Sequence, residues 1–197
     1  MIDRRALVLG ACAAATAAVV PGAAVFPGAA VWAASEHPAV ARMRAVAADL
    51  IATQRAGTPA AYYRMVTRHA DVPAIALYAL GPYRNEMKRS QRDSFFRGVG
   101  MFIARYFADQ GRAYQVASAE ISPSVRTDDD DVLVHSTVTL TSGSSYRVVW
   151  RLDASGHKIR DVQVLGFSLR YLQRAIFQSY ISRRGGTFQA LYAALMQ

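Results

Sequence analysis

Between Ser145 and Arg184 the apolar period changes from two to between three and four. That switch restricts the chain to a sheet with a helix folded back across it. Tyr146, Val148, Trp150 and Leu152 fall on one face of a strand, and Arg147 and Arg151 fall on the other. Ala154-Ser155-Gly156-His157 supplies turn residues, and a second β-like run spans Lys158 to Leu165. Gly166-Phe167-Ser168 then leads into a helix whose apolar side is read as Leu169, Leu172, Ile176 and Tyr180.

The elements around this block follow the same logic. Ser35 is placed to cap a helix starting near His37 or Pro38, with Val40, Met43, Val46, Ala47, Leu50 and Ile51 as its apolar stripe and Arg42, Arg44, Asp49 and Arg55 toward water. Thr58 caps a second helix over Pro59 to His69, and Asp71 precedes a third, Val72 to Leu80, that is apolar all round. Such an element is buried on every side or lines a cavity. After Gly81-Pro82 a longer helix is expected from about Ser90 to Gln110, with Phe95, Val99, Phe102, Ile103 and Tyr106 on one face. Gly98 and Gly100 each cost that helix about 1 kcal/mol against Ala. Either they admit another backbone or a ligand, or the pair is simply tolerated. Strands are expected at Tyr114–Ile121 and around Val132–Leu140, with Ser122–Asp131 as a loop. Gly185-Gly186 separates a last helix bearing Phe188, Leu191, Tyr192 and Leu195. The expected fold is α+β: a curved antiparallel sheet of about four strands, packed with helices from both ends of the chain around an apolar pocket.

Residues 1–33 read as an export leader, cleaved after Val31-Trp32-Ala33, with residues 34–197 as one domain. Pro21 and Pro27 argue against a membrane-spanning helix there. Arg4-Arg5-Ala6-Leu7-Val8 resembles a twin-arginine signal, and a Sec route is equally compatible. Leu9-Gly10-Ala11-Cys12 has the look of a lipoprotein box, but its apolar run of six residues falls short of the ~7–15 of an h-region. The expected compartment is therefore the periplasm, without an anchor at Cys12. Beyond the leader the chain holds 21 Lys and Arg against 13 Asp and Glu, a net +8, and no cysteine. Such a surplus favours anionic partners such as lipid headgroups or membrane surfaces. No nucleic-acid stacking motif accompanies it, so nucleic acid is not expected as a partner.

Enzymatic chemistry finds little support. Gly166-Phe167-Ser168-Leu169-Arg170 sits at a strand-to-helix turn, yet Arg170 stands where a nucleophile elbow needs Gly, and no His, Asp or Glu follows Ser168. The four histidines, 37, 69, 135 and 157, lack metal spacing. The Asp128–Asp131 run lacks the alternation of a calcium loop and reads as a solvated hairpin tip. No cofactor, metal or catalytic residue is assigned.

Leu80-Gly81-Pro82-Tyr83-Arg84, then Gln91-Arg92 with Phe95 and the aromatic helix through Tyr106, resembles a region of the MlaC/toluene-tolerance family. The ending, a strand pair followed by Leu165-Gly166-Phe167-Ser168-Leu169 and a helix reaching Arg183-Arg184-Gly185-Gly186, is similar as well. Departures are the Pro after Gly81, Leu165 where a Glu is common, and an Arg-rich surface. The resemblance implies a periplasmic phospholipid carrier that serves outer-membrane lipid asymmetry. It would shuttle lipid between an outer-membrane lipoprotein complex and an inner-membrane ABC transporter complex. A hopanoid-like lipid is the alternative cargo, and an enzyme of cone-shaped α+β fold the alternative function. The expected acyl lining is Leu80, Tyr83, Val99, Phe102, Tyr106, Val138, Val148, Trp150, Val164, Phe167, Leu172 and Ile176, each equally at home in an ordinary core. Arg84, Arg147 and Arg170 are the expected headgroup rim, as charge-assisted donors to phosphate.

Overall fold

Most helix starts are fixed by a side chain that satisfies an orphan backbone N–H. The computed structural model describes residues 36–197. Ser35 and the leader features, including Arg4-Arg5, Cys12 and the cleavage point at Ala33, lie outside them. Helix α1 (Pro38–Ala56) is capped by His37, whose Nδ1 accepts from Ala39 N at 3.1 Å. Thr58 Oγ1 accepts from Ala61 N at 3.2 Å to start α2 (Pro59–His69), and Asp71 Oδ1 accepts from Ala74 N at 3.1 Å to start α3 (Val72–Leu80). Gly81, at φ +57°, ends α3 in a conformation that favours glycine. Two 3-10 turns, Gly81–Glu86 and Arg89–Gln91, then lead into α4 (Arg92–Gln110).

The sheet is a meander of five antiparallel strands in chain order: β1 (Val116–Asp128), β2 (Asp131–Leu140), β3 (Ser145–Leu152), β4 (Ile159–Val164) and β5 (Phe167–Ser168). Two expectations are corrected here. Most of the segment read as a loop, Ser122 to Asp128, is strand, because β1 is an edge strand with an irregularity between Ile121 and Val125, where Pro123 leaves no inner ladder bond broken. Only Asp129 and Asp130 form the turn, with Asp129 at φ +53°. The strand count rises to five because Leu165 and Gly166, both at positive φ, close a two-residue turn that returns Phe167 to pair with Val164. Helices α5 (Leu169–Arg183) and α6 (Phe188–Leu195) complete the α+β fold.

The apolar interior has distinct parts. Leu80, Phe95, Val99, Phe177, Ile181 and Phe188 form a core between α3, α4, α5 and α6. Ala39, Met43 and Val46 of α1 cover Val132, Val134, Leu152 and Ile159 on one end of the sheet. Gly98 and Gly100 admit neighbours: a Cβ on Gly98 would lie 2.7 Å from Met196 Cε and 3.1 Å from the Leu195 backbone oxygen, and one on Gly100 would lie 3.1 Å from the Tyr63 ring. Close helix approach, by α6 and by α2, is therefore the reason for both glycines.

Asp49 and His69 also meet. His69 is buried, and its Nε2 lies 2.6 Å from Asp49 Oδ2, while Arg68 Nη1 donates to the same oxygen at 3.0 Å. The hydrogen bond from His69, with that from Arg68, holds the Asp49 carboxyl below its usual value against a smaller upward push from burial. Asp49 is thus a link between α1 and α2 rather than a solvated residue. At the same end of the sheet, Arg151 pairs with Asp128 and with Asp131 (3.2 Å), and Asp131 also accepts from Arg160 at 2.9 Å. The acidic hairpin tip is tied down by arginines rather than merely solvated.

Candidate functional site

Strand pairing places a row of side chains on one sheet face. Ile121 pairs with Ser136, Ser136 with Val148, Val148 with Val164, and Val164 with Phe167. Directly paired residues share a face, so this row crosses the whole sheet. A neighbouring row runs Ala119, Val138, Tyr146, and another runs Val125, Val134, Trp150, Val162. Ser136, the one polar member, is satisfied by Trp150 Nε1, which donates to its Oγ at 2.8 Å. Where α1 covers the sheet the interior is an ordinary core. At the other end Val138, Leu140 and Val148, with Val116, Ala119, Tyr146, Trp150, Val162 and Val164, form a cluster drawn from strands alone. The row ends on Phe167, which is 78% exposed.

From Phe167 the chain passes straight into α5. Ser168 Oγ accepts from Tyr171 N at 3.1 Å as the cap and donates to Asp161 Oδ2 at 2.6 Å. The buried Asp161 also accepts from Val162 N (2.8 Å) and from Arg170 N (3.0 Å). This pins the start of α5 and, with α3 packed beside it, fixes its rotation. Gln173, Phe177 and Ile181 turn inward. The stripe expected to line the pocket is left uncovered: Leu172 is 49% and Ile176 43% exposed. Two apolar stripes at helical spacing coexist on α5, and burial selects the other one.

The remaining apolar candidates are placed elsewhere. Leu80 and Val99 are wholly buried in the helical core, Tyr83 packs against it, and Phe102 meets Phe177 edge-on at 5.3 Å. Tyr106 is exposed and lies edge-on to Phe107 at 6.2 Å. The structure thus gathers Val138, Val148, Trp150, Val164 and Phe167 on one sheet face, with Leu172 and Ile176 open on the adjoining helix.

Of the arginines, Arg147 projects from the opposite face of β3 to Val148, whereas Arg84 lines a cleft with Tyr78 and Arg170 stacks on the Tyr78 ring. A cleft of about 270 Å³ is lined by Leu77, Tyr78, Gly81, Pro82, Arg84 and Arg174, among others. A second, of about 540 Å³, lies between α2, α3 and α4 beside Tyr63, Phe96 and Arg97. None of the apolar candidates lines either cleft. Arg174 and Tyr78 were not legible as site residues. The signal that points to Arg174 is its spacing of four from Arg170 in a stretch, residues 162–197, with four arginines and no acidic side chain.

The buried ionisable groups are engaged in structure. His69 meets Asp49, and Asp161 holds Ser168 and the start of α5, leaving Ser168 with no His partner. Among the described residues no group of three or more His, Cys, Asp or Glu is arranged to hold a metal, and no helix is long and apolar enough to cross a membrane.

The family model for the MlaC protein matches residues 43–197. The chain belongs to the MlaC family. A solved structure similar to this MlaC-family chain is the phospholipid-binding protein from Ralstonia solanacearum, determined in complex with a phospholipid. It is 23% identical, with a TM-score of 0.63, over 80% of this chain and 94% of that one. The likeness establishes a shared fold for the MlaC-family domain described here. No curated protein matches the chain.

Proposed function

We propose that this MlaC-family protein is a phospholipid carrier, a binding protein rather than an enzyme. The observation that carries the reading is the apolar row across the sheet, which ends on an exposed Phe167, after which the chain enters α5 with Leu172 and Ile176 also uncovered. Acyl chains lie along Val138, Val148, Val164 and Phe167 and against that helix stripe, while the headgroup stays near solvent. An acyl pair of ~30 methylenes gains on the order of 24 kcal/mol on leaving water, at ~0.8 kcal/mol per CH₂. A carrier has to offer comparable apolar surface if lipid is to leave a bilayer, and few polar groups if lipid is to leave the carrier.

The phospholipid in the Ralstonia solanacearum neighbour supports this cargo. The reading of residues 1–33 as an export leader supports a periplasmic location. The family supports the partners: an inner-membrane ABC transporter complex and an outer-membrane lipoprotein complex, between which lipid is shuttled. Transfer of a fluorescent phospholipid from donor to acceptor vesicles tests the reading. The protein should accelerate transfer in proportion to its concentration and hold the lipid chemically unchanged. No acceleration, or release of hydrolysed lipid, would overturn it.

A further inference from the structure

The cleft between α3, the Gly81–Glu86 turn and α5 has the chemistry of an anion site. Arg170 and Arg174, four residues apart, both lean on the ring of Tyr78, with guanidinium carbons 4.1 and 5.2 Å from its centroid. Stacking on the ring face holds a guanidinium by its plane and leaves its N–H edge to other groups. Arg84 comes into the same cleft from the turn. Gln178, one further turn along α5, shares the face of Arg170 and Arg174.

Gly81 makes the assembly possible. A Cβ there would sit 2.6 Å from Gln178 Nε2 and 3.0 Å from Arg174 Nη2, so both donors press against bare backbone. Among the described residues no carboxylate forms an ion pair with Arg84, Arg170 or Arg174. Arg170 Nε and Gln178 Nε2 are buried, and no described group accepts from either. Buried donors without acceptors are costly, and like charges gathered without a counter-charge repel. An anion with several acceptor oxygens in the cleft would supply the counter-charge that Arg84 and Arg174 lack.

We infer that this cleft binds a phosphate group through Arg84 and Arg174, with Arg170 stacked on the Tyr78 ring as a third nearby positive charge. A tetrahedral anion suits a fork of guanidiniums, which donate in pairs to adjacent oxygens. The site is separate from the acyl surface. On a helix of 3.6 residues per turn, Leu172 and Ile176 lie across the α5 axis from Arg170 and Arg174. The phosphate can belong to a membrane-lipid headgroup or be free in solution, and the cleft recognises what the two share.

The test titrates the full chain with inorganic phosphate by calorimetry. It compares the wild type with R174Q, with the pair R84Q/R174Q, and with the charge-matched control pair R183Q/R184Q from the exposed end of α5. Saturable binding is expected, weakened about tenfold or more in R174Q and further in R84Q/R174Q, and changed by less than about twofold in the control. Melting curves check that each variant is folded. Absence of saturable binding in the wild type, or equal weakening in the control pair, would overturn the site.

Flotation with phosphatidylcholine vesicles, with and without phosphatidate, identifies the source. Phosphatidate-dependent binding that is lost in R84Q/R174Q assigns the cleft to a headgroup; loss of inorganic phosphate binding alone assigns it to free phosphate. Vesicle-to-vesicle lipid transfer by the wild type, in buffer without phosphate, separates this inference from the carrier reading. Lipid transfer by the wild type without saturable phosphate binding would sink the cleft alone, and phosphate binding by the wild type without lipid transfer would sink the carrier alone.

Discussion

Replacing Leu172 and Ile176 together by Gln separates folding from cargo binding. Each side chain is about half exposed, at 49% and 43%. Full burial of a Leu or Ile stabilises a fold by roughly 1.5–3 kcal/mol. Half burial makes each worth about 1 kcal/mol to folding, and Gln returns a few tenths at position 176 through better helix propensity. The double variant should therefore lose no more than about 2 kcal/mol, a Tm drop of roughly 4–8 °C at ~2–4 °C per kcal/mol. Phe177→Ala, one residue away but buried in the helical core, should cost about 3–5 kcal/mol. Against an acyl chain the same two side chains lose about 2 kcal/mol of apolar contact, a roughly thirtyfold weakening of lipid affinity. Thermal melts and displacement of a fluorescent phospholipid measure the two effects separately. A melting loss equal to that of Phe177→Ala, with lipid affinity unchanged, would show that the stripe is core and refute the reasoning.

Three further outcomes follow from particular contacts. Gly98→Ala should destabilise by about 1–2 kcal/mol, because overpacking against Leu195 and Met196 exceeds the ~1 kcal/mol gained in helix propensity. Gly100→Ala, which meets only the edge of the Tyr63 ring, should be near neutral; denaturant melts of the two variants check the contrast. Asp161→Ala removes the acceptor for Ser168 Oγ and for the backbone N–H groups of Val162 and Arg170, and should cost about 2–4 kcal/mol, with amide exchange quickened first at the start of α5. The depressed Asp49 carboxyl contributes stability that is present above its unfolded value near 3.8 and lost as pH falls through the lower folded value. Asp49→Asn should therefore lower Tm at neutral pH and flatten its decline below about pH 4.

Strand alternation at Tyr146–Leu152 and capping at Thr58 were legible because each depends on neighbours a few residues away. β1 was shortened in the reading because Ser122-Pro123-Ser124 has turn composition; only its place at the sheet edge, a tertiary fact, lets it continue as strand. Leu172/Ile176 and Phe177/Ile181 satisfy the same period, so spacing alone did not single out the buried stripe of α5. The choice between them is made by Asp161 and α3, far from either in the pattern. The same limit hid the cluster at Tyr78, since nothing in the spacing announces that Arg84 and Arg174 share a cleft. Val138, Val148, Trp150, Val164 and Phe167 share one sheet face, whereas Leu80 and Val99 sit in the helical core.

The most direct measurement is organic extraction and mass spectrometry of the protein purified under native conditions from cells that export it. The carrier account predicts glycerophospholipid approaching one molecule per chain, with intact ester bonds. Folded protein that is lipid-free in repeated preparations, and that takes up none from vesicles, would contradict it.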